Sequence, residues 1–287
     1  MSTGKTALIT GASRGIGAAV AQELAARGWN VALTGIEPEE LASLAREIGP
    51  NAASFVADVT SQEQLEAAVT GAVERFGGID AVIANAGIAS FGTVRVTDPE
   101  AFARTIDINL TGAFRTVRAA LPAIIERRGY VLVIASVASF APIAGLAAYA
   151  ASKAGAEAFS SALATEVDGL GVRVGCAHPS WIDTDMVRDA ESDLSSFQQM
   201  RQVLPWPLHS TTTLETCAKM VADGIENRRR RIYVPGSVRL VYWMRALLQS
   251  GPGLALASKF ARPMISLIEE EVHQLGRSVS ERVERLL

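Results

Sequence analysis

The sequence predicts an α/β fold: one doubly wound parallel sheet of about seven strands, helices on both faces, and a helical C-terminal extension. Three observations carry this expectation. Short apolar runs rich in β-branched residues recur along the chain, as strands buried on both faces of a parallel sheet require. Segments of helical periodicity alternate with them over short links, which is the pattern of a doubly wound sheet. A polar, glycine or proline residue (Gly11, Asp58, Asn85, Ser136, Pro179) closely follows each of five strands. In such sheets ligands bind beyond the carboxyl ends of the strands. A length of 287 residues suits one large α/β domain, and an apolar share of 49% is enough for its core.

Thr6-Ala7-Leu8-Ile9 reads as the first strand. It runs into Thr10-Gly11-Ala12-Ser13-Arg14-Gly15-Ile16-Gly17, and a helical pattern follows up to Gly28. Strand, glycine turn and helix together form a dinucleotide-binding context, because the helix start offers free N–H groups to a pyrophosphate. The spacing is GxxxGxG, and a plain glycine-rich turn would look similar. Residues 31–34 form the second strand and lead to Gly35, Ile36 and Glu37. A helix is expected over 38–48. Residues 53–57 form a strand leading to Asp58 and Val59, and a helix over 61–76 follows, where Ser61 and Gln64 suit a capping box. Residues 81–84 lead into Asn85-Ala86-Gly87. Residues 99–127 read as a long helix, with a break expected at Pro122. Residues 130–135 lead into Ser136, a helix covers 149–167, and residues 172–177 lead into Pro179. Residues 183–210 show no clean period and read as a long irregular loop, a class of segment that is usually functional or mobile. Residues 232–234 make a last strand before Pro235-Gly236.

Tyr149 and Lys153 are four residues apart, so a helix sets them on one face. A free phenol has a pKa of about 10. A neighbouring ammonium favours the phenolate and lowers that value. A tyrosine tuned in this way acts as general acid or base on an alcohol or carbonyl. The pair is weak alone and gains its weight from the glycine motif.

In combination these motifs resemble the short-chain dehydrogenase/reductase (SDR) family over residues 5–236. The glycine motif, Asp58-Val59, Asn85-Ala86-Gly87, Asn109, Ser136, Tyr149 and Lys153 all match, as do Ile182 and Thr184 after Pro179. The resemblance implies a Rossmann-like domain over 1–236, with 183–210 as a substrate loop or lid and 237–287 as an apolar helical extension. It implies hydride transfer between a nicotinamide cofactor and a secondary alcohol or ketone. Asn109, Ser136, Tyr149 and Lys153 would be catalytic. Tyr149 would move the proton, and Ser136 would hydrogen-bond the reacting oxygen. Lys153 would hold the ribose and lower the tyrosine pKa, and Asn109 would anchor a proton-relay water. Gly11, Ser13, Arg14, Gly15, Ile16, Gly17, Gly35, Ile36, Glu37, Asp58, Val59, Asn85, Ala86, Gly87, Tyr149, Lys153, Pro179, Ile182 and Thr184 would hold the cofactor. The family often has glycine where this chain has Ser180, so that loop is expected to take a slightly different path.

NAD enzymes of this kind usually place an aspartate where this chain has Gly35, and NADP enzymes an arginine where it has Ile36. The missing aspartate together with Arg14 favours NADP over NAD, while Glu37 pulls the other way. Ser136, Phe140, Tyr149, Trp181 and Met186 are expected to meet the substrate, with Ile143, Leu146, Phe197 and Trp206 as further pocket candidates. Their character points to an apolar small molecule. The tail from Val238 to Ile268 is apolar and carries Arg239, Arg245, Lys259 and Arg262. Gly251-Pro252-Gly253 and Pro263 are expected to divide it. Core or subunit packing, a lid over an apolar substrate, and contact with a membrane surface stay open for it, and membrane contact is not the favoured one.

A formal charge of −3 gives no sign of a nucleic-acid surface. Cys176 and Cys217 are too few for a disulfide framework or a zinc cluster, and His178, His209 and His273 show no metal-ligand spacing. A first strand so near the N-terminus leaves no room for a signal peptide. No 18-residue apolar run occurs, so the expected location is cytoplasmic. A homodimer or homotetramer is carried over from the family, with the helix of Tyr149 and the long helix of Asn109 at its interfaces. Two rival functions remain: a non-catalytic dinucleotide sensor, and a membrane-associated lipid-modifying reductase.

Overall fold

The computed structural model describes residues 4–204 and 209–286. In chain order the strands are β1 (Thr6–Thr10), β2 (Asn30–Gly35), β3 (Ala52–Val56), β4 (Ala81–Ala84), β5 (Tyr130–Ile134), β6 (Arg173–Pro179), β7 (Trp181–Ile182), β8 (Thr211–Thr212) and β9 (Arg231–Val234). The helices are α1 (Gly15–Ala26), α2 (Pro38–Ile48), α3 (Gln62–Phe76), α4 (Pro99–Ile106), α5 (Gly112–Glu126), α6 (Ala147–Val167), α7 (Asp185–Asp193), α8 (Ser195–Val203), α9 (Leu214–Glu226), α10 (Val238–Trp243), α11 (Arg245–Leu248), α12 (Gly251–Leu275) and α13 (Glu281–Leu286).

Seven strands form one parallel sheet in the order β3-β2-β1-β4-β5-β6-β9, while β7 and β8 pair separately. Alternate side chains feed two cores, as the two-residue period of a strand demands. Ala7, Ile9, Val31, Leu33, Ile83 and Leu132 join Leu41 of α2 and Val221 and Ile225 of α9 on one face. Leu8, Ala32, Val82, Val131 and Val133 join Leu65 of α3, Val117 and Ile124 of α5, and Leu163 of α6 on the other. The sheet order reverses between β1 and β4, and the crevice for ligands opens at that switch point.

Three expectations are corrected. The long helix does not break at Pro122. It is interrupted earlier by a π-helical turn, Asp107–Thr111, and α5 then runs through the proline. Pro122 and Arg118, one turn before it, are both exposed, so water can solvate the carbonyl that the missing N–H leaves free. Residues 183–210 are not a loop: α7 and α8 fill most of the span, pinned by Leu194, Phe197 and Val187 to an apolar cluster with Trp181. The tail divides at Gln249–Ser250, so Gly251-Pro252-Gly253 opens α12 and does not separate two helices, and α12 runs unbroken through Pro263. Ser250 caps α12 by accepting a hydrogen bond from Gly253 N at 3.3 Å, and Pro252 stands in the first turn, where its lost N–H costs nothing. Of the capping box at Ser61, half forms. Ser61 accepts from Gln64 N (3.3 Å), but the Gln64 side chain reaches Asp58 N (2.9 Å).

The extension folds back onto the carboxyl end of the sheet. Val238, Val241 and Tyr242 of α10 pack on Val137, Phe140 and Ala141. Val272 of α12 joins the cluster around Trp181. Beyond α12, Phe91 N donates to Ser278 O at 2.8 Å, and Ser90 bridges Val279.

A buried polar link fixes β6 to α6. His178, fully buried, lies 3.2 Å from Glu157 through Nε2 and is ringed by Phe140, Tyr233 and Tyr242 at 5.5–5.8 Å. Burial works against charge on His178, but Cys176 and Glu157 outweigh it and push the pKa up to about 9. Burial also works against charge on Glu157, but His178 and Arg231 hold its carboxyl below the ordinary range. A raised histidine pKa stabilises the fold fully below its ordinary value of 6.5 and loses that contribution as pH rises through about 9. A depressed glutamate stabilises above 4.5 and loses its contribution as pH falls below that value. The expected outcome is a Tm that declines from pH 6.5 to beyond pH 9 more steeply in the parent protein than in His178→Gln. Parallel pH–Tm curves for the two would refute the charged pair.

Candidate active site

The glycine turn is held against β4 by a polar staple. Thr10 Oγ1 accepts from Asn85 N (3.1 Å) and Ala86 N (3.3 Å), and Asn85 Nδ2 donates to the carbonyls of Thr10 (2.9 Å) and Gly11 (3.1 Å). Two glycines are required by this closeness. Gly11 has φ +63°, and a Cβ there would stand 2.8 Å from Ala86 Cα. A Cβ on Gly17 would collide with the Gly11 carbonyl. Gly15 (φ +56°) opens α1, and no side chain among the described residues caps that helix start. Its first N–H groups are therefore left for a ligand.

From this cradle a continuous cleft runs along the carboxyl ends of the strands. At the β2 end it is lined by Gly35, Ile36, Glu37, Asp58 and Val59. Glu37 is 9% exposed. It forms an ion pair with Arg14 and accepts a hydrogen bond from the Ser13 hydroxyl. Arg14 also faces Glu40 at 3.9 Å. Asp58 accepts from Thr60 N at 2.8 Å, which fixes its turn.

At the β5 end Ser136, Tyr149 and Lys153 converge. Ser136 follows the strand, caps a short 3₁₀ turn by accepting from Ala138 N (3.2 Å), and lies 3.4 Å from the Pro179 carbonyl. Tyr149 and Lys153 stand one turn apart on α6, the Lys153 ammonium 5.8 Å from the phenol ring centroid. Lys153 Nζ donates to Ile134 O at 2.8 Å, and burial lowers its pKa to about 8. Burial pushes the Tyr149 phenol up, and a hydrogen bond with Ser136 offsets part of this. The lowering expected from Lys153 does not overcome desolvation, which dominates this phenol.

Asn109 lies behind the cleft, 2% exposed, in the π-helical turn. Its side chain accepts from Ile88 N (2.8 Å) and donates to Ile88 O (2.9 Å) and Ser152 Oγ (2.9 Å). Ser152 in turn donates to Tyr149 O at 2.7 Å. Both amide N–H groups are thus used in holding the frame.

The other expected cofactor residues line the cleft apart from Gly17, which supports it from behind. Trp181 and Met186 line it too, with Ile143, Leu146 and Phe197. Phe140 does not. It is 2% exposed and packs at 5.4–5.5 Å on Tyr242 and His178, because α10 covers it from outside. Trp206 lies outside the described residues. Ser180 adopts no positive φ, so serine fits where the family often has glycine. Its hydroxyl is buried on the cleft without a hydrogen-bond partner among the described residues. Sequence reasoning left a lid role open for the tail but singled out none of Ser280, Arg282 and Val283, which form the C-terminal wall. Arg282 pairs with Asp189 (3.0 Å) and Asp185 (3.5 Å) of α7. No motif marks such a return of the tail, although its charge alternation is visible.

The family model described as short chain dehydrogenase matches residues 5–195. A trans-4-hydroxycyclohexanecarboxylate dehydrogenase of Sinomonas cyclohexanicum is 36% identical over 77% of this chain and 92% of that protein. A 3-oxoacyl-[acyl-carrier-protein] reductase of Vibrio cholerae is 37% identical over 64% of this chain and 76% of its own. An 11-beta-hydroxysteroid dehydrogenase 1A of Arabidopsis thaliana is 31% identical over 85% and 72%. Among solved structures, the 3-ketoacyl-(acyl-carrier-protein) reductase of Brucella melitensis complexed with NADH superposes with a TM-score of 0.73, at 26% identity, over 80% of this chain and 96% of that one. With the glycine cradle, the strand-end cleft and a family match over most of its length, the chain belongs to the short-chain dehydrogenase family.

Proposed function

We propose that the protein interconverts a secondary alcohol and a ketone on an apolar small molecule, with Tyr149 as general acid and base. The convergence of Ser136, Tyr149 and Lys153 in the cleft that begins at the glycine cradle carries this reading. A nicotinamide dinucleotide fits the residues present: the glycines leave the turn bare of side chains, the start of α1 is uncapped, and the buried Ser180 hydroxyl has bonding capacity to spare. When bound, the cofactor supplies or accepts the hydride.

The chain's own residues would do the rest. Tyr149, kept protonated by desolvation, gives its proton to a carbonyl oxygen in reduction, and in the reverse direction its phenolate takes the proton from the hydroxyl. Ser136 donates to the same oxygen and stabilises its developing charge. Lys153, anchored on Ile134 O, keeps further donors for the ribose. Asn109 is a positioning residue, since it locks Ile88 and, through Ser152, the backbone of Tyr149. Trp181, Phe197, Leu146 and Val187 make an apolar wall, which supports a lipophilic substrate. The names of the relatives span a cyclic hydroxy acid, an oxoacyl group and a hydroxysteroid, so they agree in the reacting group and leave the substrate body open. A homodimer or homotetramer is part of the proposal, supported by Phe114 of α5, 43% exposed beside Phe159 of α6.

The charge arrangement at Arg14 favours NAD, although Arg14 viewed in sequence alone leaned to NADP. The guanidinium is neutralised by Glu37 and faces Glu40 as well, so a 2′-phosphate would meet two carboxylates. A ribose hydroxyl would find in Glu37 an acceptor already oriented by Arg14 and Ser13.

Two outcomes are expected. Titration by cofactor fluorescence should show NADH binding at least about tenfold tighter than NADPH, a difference of about 1.4 kcal/mol. Glu37→Ser should narrow or invert that ratio by freeing Arg14. Tighter NADPH binding by the parent protein would return Arg14 to the phosphate role. In a panel of cyclic and aliphatic ketones followed by nicotinamide absorbance, Tyr149→Phe should lower turnover by about 10²–10⁴-fold while nucleotide binding is retained. Undiminished turnover would remove Tyr149 from the chemistry.

A further inference from the structure

The helices α10–α12 carry an apolar and basic surface that the proposed reaction does not use. In the first half of α12 the usual polarity of a surface helix is inverted. Gly253, Ala257 and Ala261 take the partly sheltered side, while Leu254, Leu256 and Phe260 stand 46%, 57% and 55% exposed. In α10, Val238, Val241 and Tyr242 are buried, but Leu240 and Trp243 are 51% and 72% exposed, as is Leu247 of α11 at 58%. Single exposed apolar residues are ordinary, but a run of large ones on adjoining helices marks an interaction surface.

Charge identifies what covers it. Between Glu226 and Glu269 the chain has no acidic residue. Arg239, Arg245, Lys259 and Arg262 are exposed in this span. Several arginines outside the span meet carboxylates, such as Arg27 with Glu226, Arg201 with Glu191 and Arg277 with Asp193, and others, such as Arg75, Arg127 and Arg228, donate to main-chain carbonyls. None of these four has an acidic partner among the described residues, and Arg245 lies over the Tyr242 ring at 4.0 Å instead. The same face of a second copy would bring like charges together. An anionic bilayer satisfies both features, with apolar side chains at the headgroup–acyl boundary and cations among the phosphates. Among the described residues no helix is long and apolar enough to cross a membrane, so these helices would lie on the surface.

We propose that α10–α12 form a docking surface for an anionic phospholipid bilayer. Docking is independent of the reaction assigned to the cleft. The two are neighbours, since α10 packs directly on Phe140 and Ala141, just beyond Ser136.

The test is flotation of the full chain with vesicles of phosphatidylcholine alone or with phosphatidylglycerol, at low and high salt. The parent protein should float with the anionic vesicles, at least tenfold less with neutral ones, and less at high salt. Leu240→Ser combined with Trp243→Ser, Leu256→Ser and Phe260→Ser should abolish flotation, and Arg239→Gln with Lys259→Gln and Arg262→Gln should weaken it. NADH binding by each variant should match the parent, which shows that the fold is kept. Three results would overturn the proposal: no flotation of the parent protein, flotation indifferent to both sets of substitutions, or an oligomer in vesicle-free solution that the serine variant dissolves. The last would assign the face to a second copy.

Discussion

The contact between the turn after β1 and the end of β4 is the constraint on which the rest of the site depends. Two neighbouring parallel strands separate at the switch point, and the chain must cross that gap with almost no side-chain volume. Gly11 backs onto the main chain of Ala86, and Gly17 lies under the Gly11 carbonyl. Thr10 and Asn85 turn this closeness into four hydrogen bonds, so the turn is fixed from both strands. The start of α1 is thereby aimed along the cleft. A looser turn would leave the same glycines without an anion-binding direction.

A second frame positions the β5 end of the cleft, and it is built on main-chain groups at the carboxyl ends of the strands and in the loop after β4. Lys153 hangs on Ile134 O, Ser136 lies near Pro179 O, and Asn109 grips Ile88 from both sides. The π-helical turn at Asp107–Thr111 widens the helix where Asn109 must enter this network. Desolvation comes first in setting the protonation of these side chains, with Lys153 buried and Tyr149 partly buried on the cleft. This is why the phenol rises and the ammonium falls, although the two residues share a helix face. A bound cofactor and substrate change the surroundings that desolvate both groups, so their proton affinities are properties of the complex as much as of the chain.

The sheet was legible because each strand is a short apolar run bounded by a distinct turn signal, and its alternation between two cores follows from the period of two. The polar residues at strand ends were legible for the same reason, since Gly11, Asp58, Asn85, Ser136 and Pro179 sit where the strand pattern stops. Pro122 and Pro263 misled because a proline on an exposed helix face loses a hydrogen bond that water replaces. Residues 183–210 misled because α7 and α8 are short, polar and stabilised by contacts distant in sequence, such as Ser195 with Glu271 at 2.6 Å. Phe140 misled because its neighbours come from α10, more than ninety residues later. The Arg14–Glu37 pair is also tertiary: two residues from different βα turns meet only when β1 and β2 are side by side.

The return of the tail to the cleft shows which forces close this site. Arg282 meets Asp189 and Asp185, yet it is 44% exposed on its side chain, and exposed pairs of this kind contribute about 0–1 kcal/mol. Arg277 and Asp193 are better sheltered at 13% and 19%, but burial raises the Asp193 pKa despite the arginine, so desolvation cancels much of that attraction. The apolar contacts are less ambiguous. Val272 and Leu275 pack with Trp181 and Phe197, and Val279 is buried where it bridges Ser90. Apolar burial therefore holds the tail on the cleft, and the ion pairs select its register over α7. The same side chains that fasten the tail also form the apolar wall of the cleft, so its closure and its apolar character are built from one cluster.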